Sequence, residues 1–198
     1  MPEPVAPAFA HYLVIDFEAT CCDQGTVPRH AMEIIEFGVV MVDAIDFRIV
    51  DEFQSFVRPV RHPQLTGFCT QLTSIRQTNV DAAPSFPACV AAFESWLSRY
   101  RDVAFCSWGD YDRNQLQQDC DFHRIPNPIT APHRNVKRLF SERQRRTKQY
   151  GLSGAIHEAG LAFSGTHHRG IDDARNIARL LPFVFGDARL ADNAERVA

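Results

Sequence analysis

The sequence predicts a mixed α/β fold in which one central sheet is flanked by helices. Three apolar runs follow one another from residue 11, and three strands in succession favour an antiparallel meander. Downstream, apolar residues recur at helical spacing and are interrupted by one further short apolar strand. At 198 residues, with 45% apolar and 23% charged residues, the chain has the size and composition of one soluble domain.

The order of elements follows from the spacing of the apolar residues. The three runs that read as strands, each bounded by polar or turn residues, lie at 11–19, 33–43 and 47–57. The run 102–108 predicts a fourth strand, which would join the sheet as a parallel strand. Segments with a helical period lie at 84–99, 110–123, 135–148, 151–159 and 171–184.

The two ends of the chain carry no helical or strand pattern. We expect a flexible Pro-rich tail at 1–10, a folded domain at 11–185 and a C-terminal tail at 186–198. The first basic residue is Arg29, so the start lacks the basic region of a secretory signal, and no run suggests a membrane span. We therefore expect a cytoplasmic protein without a membrane association.

The cysteines show no C-x-x-C pair that would indicate a zinc site. They are Cys21, Cys22, Cys69, Cys89, Cys106 and Cys120. Most of them lie inside apolar periodic stretches. This placement favours reduced core thiols over disulfides or metal ligands.

Two acids stand at the end of the first apolar strand, in "YLVIDFEATCCDQG". Residues i and i+2 of a strand share a face, so Asp16 and Glu18 project together while Phe17 points the other way. Two carboxylates on one face repel each other and raise each other's pKa unless a cation lies between them. An acid at a strand end is common, so this pair alone does not identify a site.

A helix in "CSWGDYDRNQLQQDC" carries an acid on its apolar face. Asp112 shares that face with Leu116 and Cys120, whereas Asp110 lines up with polar residues and is expected to start or cap the helix. An inward Asp near a helix start can also be a simple cap. The helix phase favours Asp112 over Asp110 as a ligand.

The last predicted helix begins with a similar arrangement, in "HHRGIDDARNIARL". Asp173 lies on one face with Ile177 and Leu181, while Asp172 points toward water. His168 precedes Asp173 on the loop, where Gly170 would give the backbone freedom to turn. The same five-residue spacing also joins His167 to Asp172, so His167 stays an alternative to His168.

Each motif alone is weak evidence, but the three together are specific. In this combination the sequence resembles the DEDDh group of 3′ to 5′ exonucleases. "DFEAT", "WGDYDRNQL" and "HHRGIDDARNIARL" match the three motifs of that group in order, and the resemblance runs from about residue 11 to residue 185. Through "EIIEFGVV", "FCTQLTSIRQTNVDAAPSF" and "NVKRLF" it is similar to the Eri-type branch. The resemblance implies a ribonuclease H-like fold and an exonuclease domain at 11–185.

The resemblance also implies roles for individual residues. Asp16, Glu18, Asp112 and Asp173 would be metal ligands, and His168 would be the general base that takes a proton from the attacking water. Four carboxylates without a thiolate suit two Mg²⁺ or Mn²⁺ ions rather than zinc. The terminal nucleotide would contact the segment after the D-x-E motif and an apolar wall, namely Phe17, Ala19, Thr20 and Leu72.

The expected partner is a single-stranded nucleic acid with a free 3′-hydroxyl, with RNA favoured and DNA left open. Trp108 and Phe68 are candidates for base stacking or for core packing. The run 134–148 holds seven basic residues against Glu142, and it either guides the phosphate backbone or is a solvated helix face. A polymerase-associated proofreading subunit and a catalytically silent nucleic-acid-binding module are the competing functions, and no protein partner is indicated.

Overall fold

A computed structural model describes residues 8–191 and contains one mixed five-stranded sheet with helices on both faces. Its strands are His11–Ala19 (β1), Ile34–Asp43 (β2), Ile49–Phe56 (β3), Val103–Ser107 (β4) and His133–Asn135 (β5). Their order across the sheet is β3-β2-β1-β4-β5, in which β1 to β3 form an antiparallel meander while β4 and β5 add in parallel. The predicted fold class is therefore confirmed, and β1 is the central strand.

Seven α-helices accompany the sheet in the described part of the chain. They are Gly67–Thr73 (α1), Gln77–Asp81 (α2), Phe86–Leu97 (α3), Tyr111–His123 (α4), Val136–Arg143 (α5), Leu152–Glu158 (α6) and Gly170–Val184 (α7). The sequence pattern did not predict α1, α2 or β5. α2 and β5 are 5 and 3 residues long, too short for a period to be visible, and the 7-residue α1 buries only Cys69 and Thr73, which leaves no apolar period to detect.

The helix predicted at 135–148 is shorter than expected. It ends at Arg143, and Arg145 has a left-handed backbone with φ of 53°. Gln144 lies at the next core-facing position, where its amide donates to the carbonyl oxygens of Phe183 and Ala188. The apolar period of α5 therefore stops after Phe140, and nothing favours a further helical turn.

Both faces of β1 are covered, which explains its continuous apolar run. Tyr12 and Val14 pack with the layer of α5, α6 and α7, while Leu13, Ile15 and Phe17 pack with α3 and α4. A strand buried on both faces needs apolar residues at every position. Since Asp16 continues the face of Tyr12 and Val14, it points toward the layer that contains α7.

Two glycines allow α7 to lie directly on the sheet. A Cβ on Gly38 of β2 would lie 1.9 Å from the carbonyl carbon of Gly170, and one on Gly170 would lie 2.6 Å from the main-chain oxygen of Asp16. The sequence assigned Gly170 to a turn before the helix, and that interpretation was wrong. Gly170 is the first residue of α7 and is required by the close approach of two backbones.

The described parts of both predicted tails contact the domain. The backbone N–H of Ala10 donates to the carbonyl oxygen of Asp102 at 2.8 Å, and Phe9 packs on the core beside β1. Leu190 is buried and its N–H donates to Oε1 of Gln144 at 2.9 Å. The remaining tail residues, 1–7 and 192–198, lie outside the described residues. Among residues 8–191, no helix has the length and apolar character that crossing a bilayer requires.

We predict that Gly38→Ala destabilises the protein by about 3 kcal/mol, because the added Cβ forces β2 and α7 apart. Gly154→Ala is the matched control, since a Cβ on this exposed residue of α6 meets only the ring and Cβ of Tyr150 at 3.8 Å. That change should stabilise α6 by about 0.9 kcal/mol through helix propensity. Urea unfolding of both variants measures the difference, and equal free energies of unfolding would contradict the close contact.

Candidate active site

The site begins at the carboxyl end of the central strand. Asp16 and Glu18 project from one face of β1, and Phe17 between them is buried in the opposite core. This arrangement follows from the two-residue period of the strand, as the sequence predicts. Glu18 is buried and Asp16 is partly buried, so both carboxylates lie where few water molecules can solvate them.

A third acid joins them from the first turn of α7. Asp173 is buried, and one carboxylate oxygen from each of Asp16, Glu18 and Asp173 lies within 4.8 Å of the other two. The inward orientation of Asp173 comes from the helix phase, because Ile177 and Leu181 on the same face are fully buried. Asp172 faces outward, where it accepts from the N–H of Thr166 and pairs with Arg175.

The fourth acid, Asp112, comes from the first turn of α4. Its Oδ1 accepts the backbone N–H of Phe17 at 2.8 Å, which ties the end of β1 to the start of α4. Leu116 and Cys120 on the same helix face are fully buried. Asp110 precedes the helix with a half-exposed side chain, and its Oδ2 accepts from Asn135 at 3.0 Å. The structure thus brings Asp112, and not Asp110, to the acids of β1.

Burial and mutual repulsion raise the pKa values of these carboxyl groups above their ordinary values. Burial raises the pKa of Asp16 well above its usual value, and the charges of Asp112 and Glu18 raise it further. Burial, followed by the charge of Asp173, raises the pKa of Glu18 to about 9. The pKa values of Asp112 and Asp173 rise to about 7, with burial as the main cause. Without a cation, the four acids carry less than their full charge near neutral pH.

The donor set fits a divalent cation. Asp173 Oδ1 is buried and has no hydrogen-bond partner among the described residues, although it lies beside Asp16 and Glu18. A buried carboxylate oxygen without a donor is costly unless a cation approaches it. Because all the donors of this group are carboxylate oxygens, the acidic residues could bind a metal of the hard, oxygen-preferring class.

His168 lies next to the acids on the loop before α7. Its backbone has a left-handed conformation with φ of 62°, and its N–H donates to Oδ2 of Asp173 at 2.9 Å. Its ring centre lies 4.0 Å from that of His167, and both side chains line the same cavity as the four acids. Burial and the neighbouring charge of His167 lower the pKa of His168, which favours the neutral imidazole that a base requires.

His167 is held differently from its neighbour. Its Nε2 lies 3.3 Å from the hydroxyl of Ser153, and its ring meets the edge of Phe163. His167 is exposed, whereas His168 is half-buried beside Asp173. These contacts hold His167 against α6 and the preceding loop, while one of its ring nitrogens lies within 4.8 Å of ligand atoms of His168 and Asp173, a second group able to hold a metal.

The cavity has a volume of about 340 Å³ and one largely apolar wall. Phe17, Ala19, Leu72 and Trp108 line it, as do Met32 and Tyr111, which the sequence pattern did not single out. Met32 is fixed because its carbonyl oxygen accepts from the side chains of Arg61, Gln115 and Gln118. An apolar wall beside the acids offers a surface on which a nucleobase can stack.

Two predicted contact residues lie elsewhere. Thr20 is buried behind the cavity, where its N–H donates to the carbonyl oxygen of Glu33 and its hydroxyl accepts the N–H of Glu33. The prediction that Thr20 contacts substrate is therefore not supported by its position. Phe68 borders a separate surface cavity near Cys22 and does not line the acidic one. The basic run 134–148 contributes no residue to the lining of the acidic cavity either.

A fifth acid, Glu36, was missed as a functional residue. It is fully buried on β2 directly opposite Glu18, and its carboxylate accepts from Gly170 N–H and from Nε and Nη2 of Arg169, each at 3.1 Å. This contact holds the start of α7 against the sheet. The signal was an acid inside the apolar run "EIIEFGVV", the same kind of signal that identified Asp16.

All six cysteines are free thiols. Cys69, Cys89, Cys106 and Cys120 are buried, whereas Cys21 and Cys22 are partly exposed beside the end of β1. Cys21 lines the acidic cavity but belongs to neither of the two groups able to hold a metal among the described residues, which are Asp16, Glu18 and Asp173, and His167, His168 and Asp173.

The chain is similar in sequence to known exonucleases. The family model described as "Exonuclease" matches residues 13–181. The human protein named "ERI1 exoribonuclease 2" is 34% identical over 197 residues, an alignment that covers 87% of this chain and 28% of that protein. Human "3'-5' exoribonuclease 1" is 32% identical and is matched over 88% of this chain and 52% of its own length. The chain thus spans between about a quarter and a half of these two relatives.

Solved structures agree with this assignment. The nuclease domain of 3′hExo, described as a DEDDh family member bound to rAMP, matches with a TM-score of 0.81 at 30% identity, over 93% of this chain and 97% of that one. Exonuclease I matches with a TM-score of 0.70 at 11% identity, over 88% of this chain and 40% of that one, which shows the ribonuclease H-like fold alone. The matched family model, these relatives and the four acids beside a histidine agree with one another. The chain belongs to the exonuclease family, in its Eri-type DEDDh branch.

Proposed function

We propose that this protein is a metal-dependent 3′ to 5′ exonuclease that hydrolyses single-stranded RNA from a free 3′-hydroxyl end to 5′-monophosphates. The observation that carries the proposal is the convergence of Asp16, Glu18, Asp112 and Asp173 on one cavity that His168 also lines. Relatives named exoribonucleases support RNA as the substrate, with DNA as the alternative. The expected cofactors are two Mg²⁺ or Mn²⁺ ions held by the four acids.

The residues of the site divide the reaction between them. Two divalent cations, when bound, supply Lewis acidity and neutralise the charge that develops on the scissile phosphate. His168 accepts the proton of the attacking water, and the bond from its backbone to Asp173 holds it beside the acids. The wall formed by Leu72 and Trp108, beside the backbone of Phe17, receives the terminal base, and the small cavity excludes a stacked duplex end.

The competing functions are less well supported. A catalytically silent binding module has no use for four crowded carboxylates whose repulsion costs stability. A proofreading subunit would share the chemistry but differ in its partner, and the Eri-type relatives favour a role in RNA metabolism. We propose the cytoplasm as the compartment, since six free thiols suit a reducing environment.

The direct test uses 5′-labelled single-stranded RNA and DNA of equal sequence with Mg²⁺, Mn²⁺ or EDTA. We expect a ladder that shortens by one nucleotide at a time from the 3′ end, release of 5′-monophosphates, and no reaction in EDTA. A 3′-phosphate should block the reaction, because its extra charge would have to enter the cavity beside the carboxylates. Products that carry 3′-phosphates, or cuts within a circular single strand, would exclude the proposed mechanism.

We predict that Asp112→Asn abolishes more than 99% of the activity, while Asp110→Asn keeps at least a third of it, because only Asp112 faces the other acids. The same two variants also distinguish a loss of charge repulsion from a loss of stability. Removing the charge of Asp112 relieves repulsion on Asp16, so the Tm without metal should rise, whereas the increase in Tm on adding Mn²⁺ should shrink. Differential scanning fluorimetry measures both shifts, and an unchanged response to Mn²⁺ would remove Asp112 from the ligand set.

We predict that His168→Ala lowers kcat by about a hundredfold or more, the loss expected on removing a general base, with the Mn²⁺-induced rise in Tm retained. His167→Ala is the neighbouring control and should lower kcat by less than fivefold, since its ring is held by Ser153 and Phe163. Single-turnover hydrolysis of a labelled oligonucleotide gives both rate constants. The opposite ranking would assign the base to His167.

A further inference from the structure

A second concave surface, rich in arginine, lies at the other end of α7. It is a cavity of about 520 Å³ lined by Arg143, Gln144, Arg145, Arg146, Arg189 and Leu190, hereafter the arginine cavity. Three of these arginines come from the basic run whose role the sequence left open. The fourth follows α7, so the chain gathers positive charge there from two separate segments.

The backbone around the arginine cavity is held in place. Gln144 is buried and its amide bonds the carbonyl oxygens of Phe183 and Ala188, while its Oε1 accepts the N–H of Leu190. Nη2 of Arg143 donates to the carbonyl oxygen of Gly186 at 3.3 Å. The segment that follows α7 is therefore fixed against the end of α5, and the cavity is a built feature of the fold.

The arginines keep unused donors. Each guanidinium has five N–H groups, and the carbonyl bonds of Arg143, Arg146 and Arg189 use only some of them. Nε of Arg146 is buried without an acceptor among the described residues. A buried donor without an acceptor is costly, so the protein itself leaves part of the hydrogen-bonding capacity of Arg146 unused.

The charge of the arginine cavity is poorly balanced by nearby acids. Asp187 lies 3.8 Å from Nη2 of Arg143 but is fully exposed, and Glu142 pairs with Arg138 at 4.0 Å. Four guanidinium groups therefore face one solvated carboxylate within residues 8–191. Planar guanidinium forks match the oxygen atoms of phosphate, and a polar concave surface suits a phosphate chain better than an apolar partner.

The distance between the arginine cavity and the acidic site sets the minimum length of a strand that can bind to both. Asp173 lies in the first turn of α7, and Gly186 follows its last turn, so about 13 residues of helix separate them by roughly 20 Å. At about 3.4 Å of rise per stacked nucleotide, this distance corresponds to about six steps along a strand. A strand whose 3′ end lies at the acids must be several nucleotides long to reach the arginines.

We propose that the arginine cavity is a second phosphate-binding site, which holds the RNA strand several nucleotides upstream of its 3′ end. This inference rests on the proposed function for the direction of the strand. It assigns the C-terminal part of the basic run, Arg145 and Arg146, to substrate binding at a distance from the chemistry. Long strands then bind at two points, and very short ones bind only at the acidic site.

The test compares Arg145→Gln/Arg189→Gln with the wild type on a 20-nucleotide single-stranded RNA and on a trinucleotide. Arg101→Gln/Arg124→Gln is the matched control, since it removes the same charge from exposed positions after α3 and α4, on the other face of the sheet. We expect KM for the 20-nucleotide RNA to rise at least fivefold in the first variant, with kcat and the trinucleotide KM within twofold of the wild type. The control should leave all four constants within twofold.

Equilibrium binding in EDTA gives a readout that needs no hydrolysis. The Kd of the 5′-labelled 20-nucleotide RNA should rise at least fivefold, and the slope of log K against log salt should become shallower by about 1.4 for two lost phosphate contacts. If the wild type binds in this way but hydrolyses nothing, the proposed function fails while the arginine cavity stands. Equal changes for long and short RNA, or an equal effect of the control variant, would overturn the arginine cavity and leave the exonuclease intact.

Phosphatidylserine vesicles provide the remaining comparison, since lipid headgroups also present phosphate. Vesicles that bind the wild type but not Arg145→Gln/Arg189→Gln, with RNA binding unchanged, would overturn the assignment to RNA. Vesicles that bind neither protein, together with the loss of RNA affinity, support it.

Discussion

Repulsion among four carboxylates gathered at the end of one buried strand is the constraint on which the rest of this structure depends. Such a cluster forms only if the favourable packing of the surrounding fold outweighs the repulsion between the carboxylates. Here β1 is the central strand of the sheet with helices on both faces, so its end cannot move without disturbing two cores. Asp112 adds a direct bond to the N–H of Phe17, which turns one of the repelling groups into an anchor.

Two helix N-termini help to offset this repulsion, and an ion pair between a buried Glu36 and a partly buried Arg169 fixes the geometry of the cluster. Asp112 and Asp173 lie in the first turns of α4 and α7, where the unpaired N–H groups of a helix carry about half a positive charge. Glu36 and Arg169 then fix the start of α7 against β2, with Gly38 and Gly170 allowing the two backbones to touch. The geometry of the acids is thus set by contacts that lie within four residues of them in the sequence or across the sheet.

The sequence contained the parts of the site that depend on local periodicity. The strand period placed Asp16 and Glu18 on one face, and the helix phase chose Asp112 over Asp110 and Asp173 over Asp172. It did not contain what depends on contacts between distant segments. Gly170 looks like a turn residue until Asp16 and Gly38 are seen against it, and Thr20 looks like a substrate contact until its bonds to Glu33 are known. Short elements such as α1, α2 and β5 depend on capping residues and neighbouring elements more than on a repeat of apolar residues within them.

The hydrogen bond from the backbone of His168 to the carboxylate of Asp173 links the conformation of the loop before α7 to the acidic cluster. The loop keeps its left-handed residue in place partly through an oxygen atom that also belongs to the acidic cluster. The loop and the acidic cluster therefore share the carboxylate of Asp173. By thermodynamic reciprocity, any effect that occupancy of the acidic cluster has on the order of the loop is matched by an equal effect, in free energy, of loop order on that occupancy. A single hydrogen bond thus couples the conformation of the loop that carries His168 to the position of an acidic side chain in the cluster.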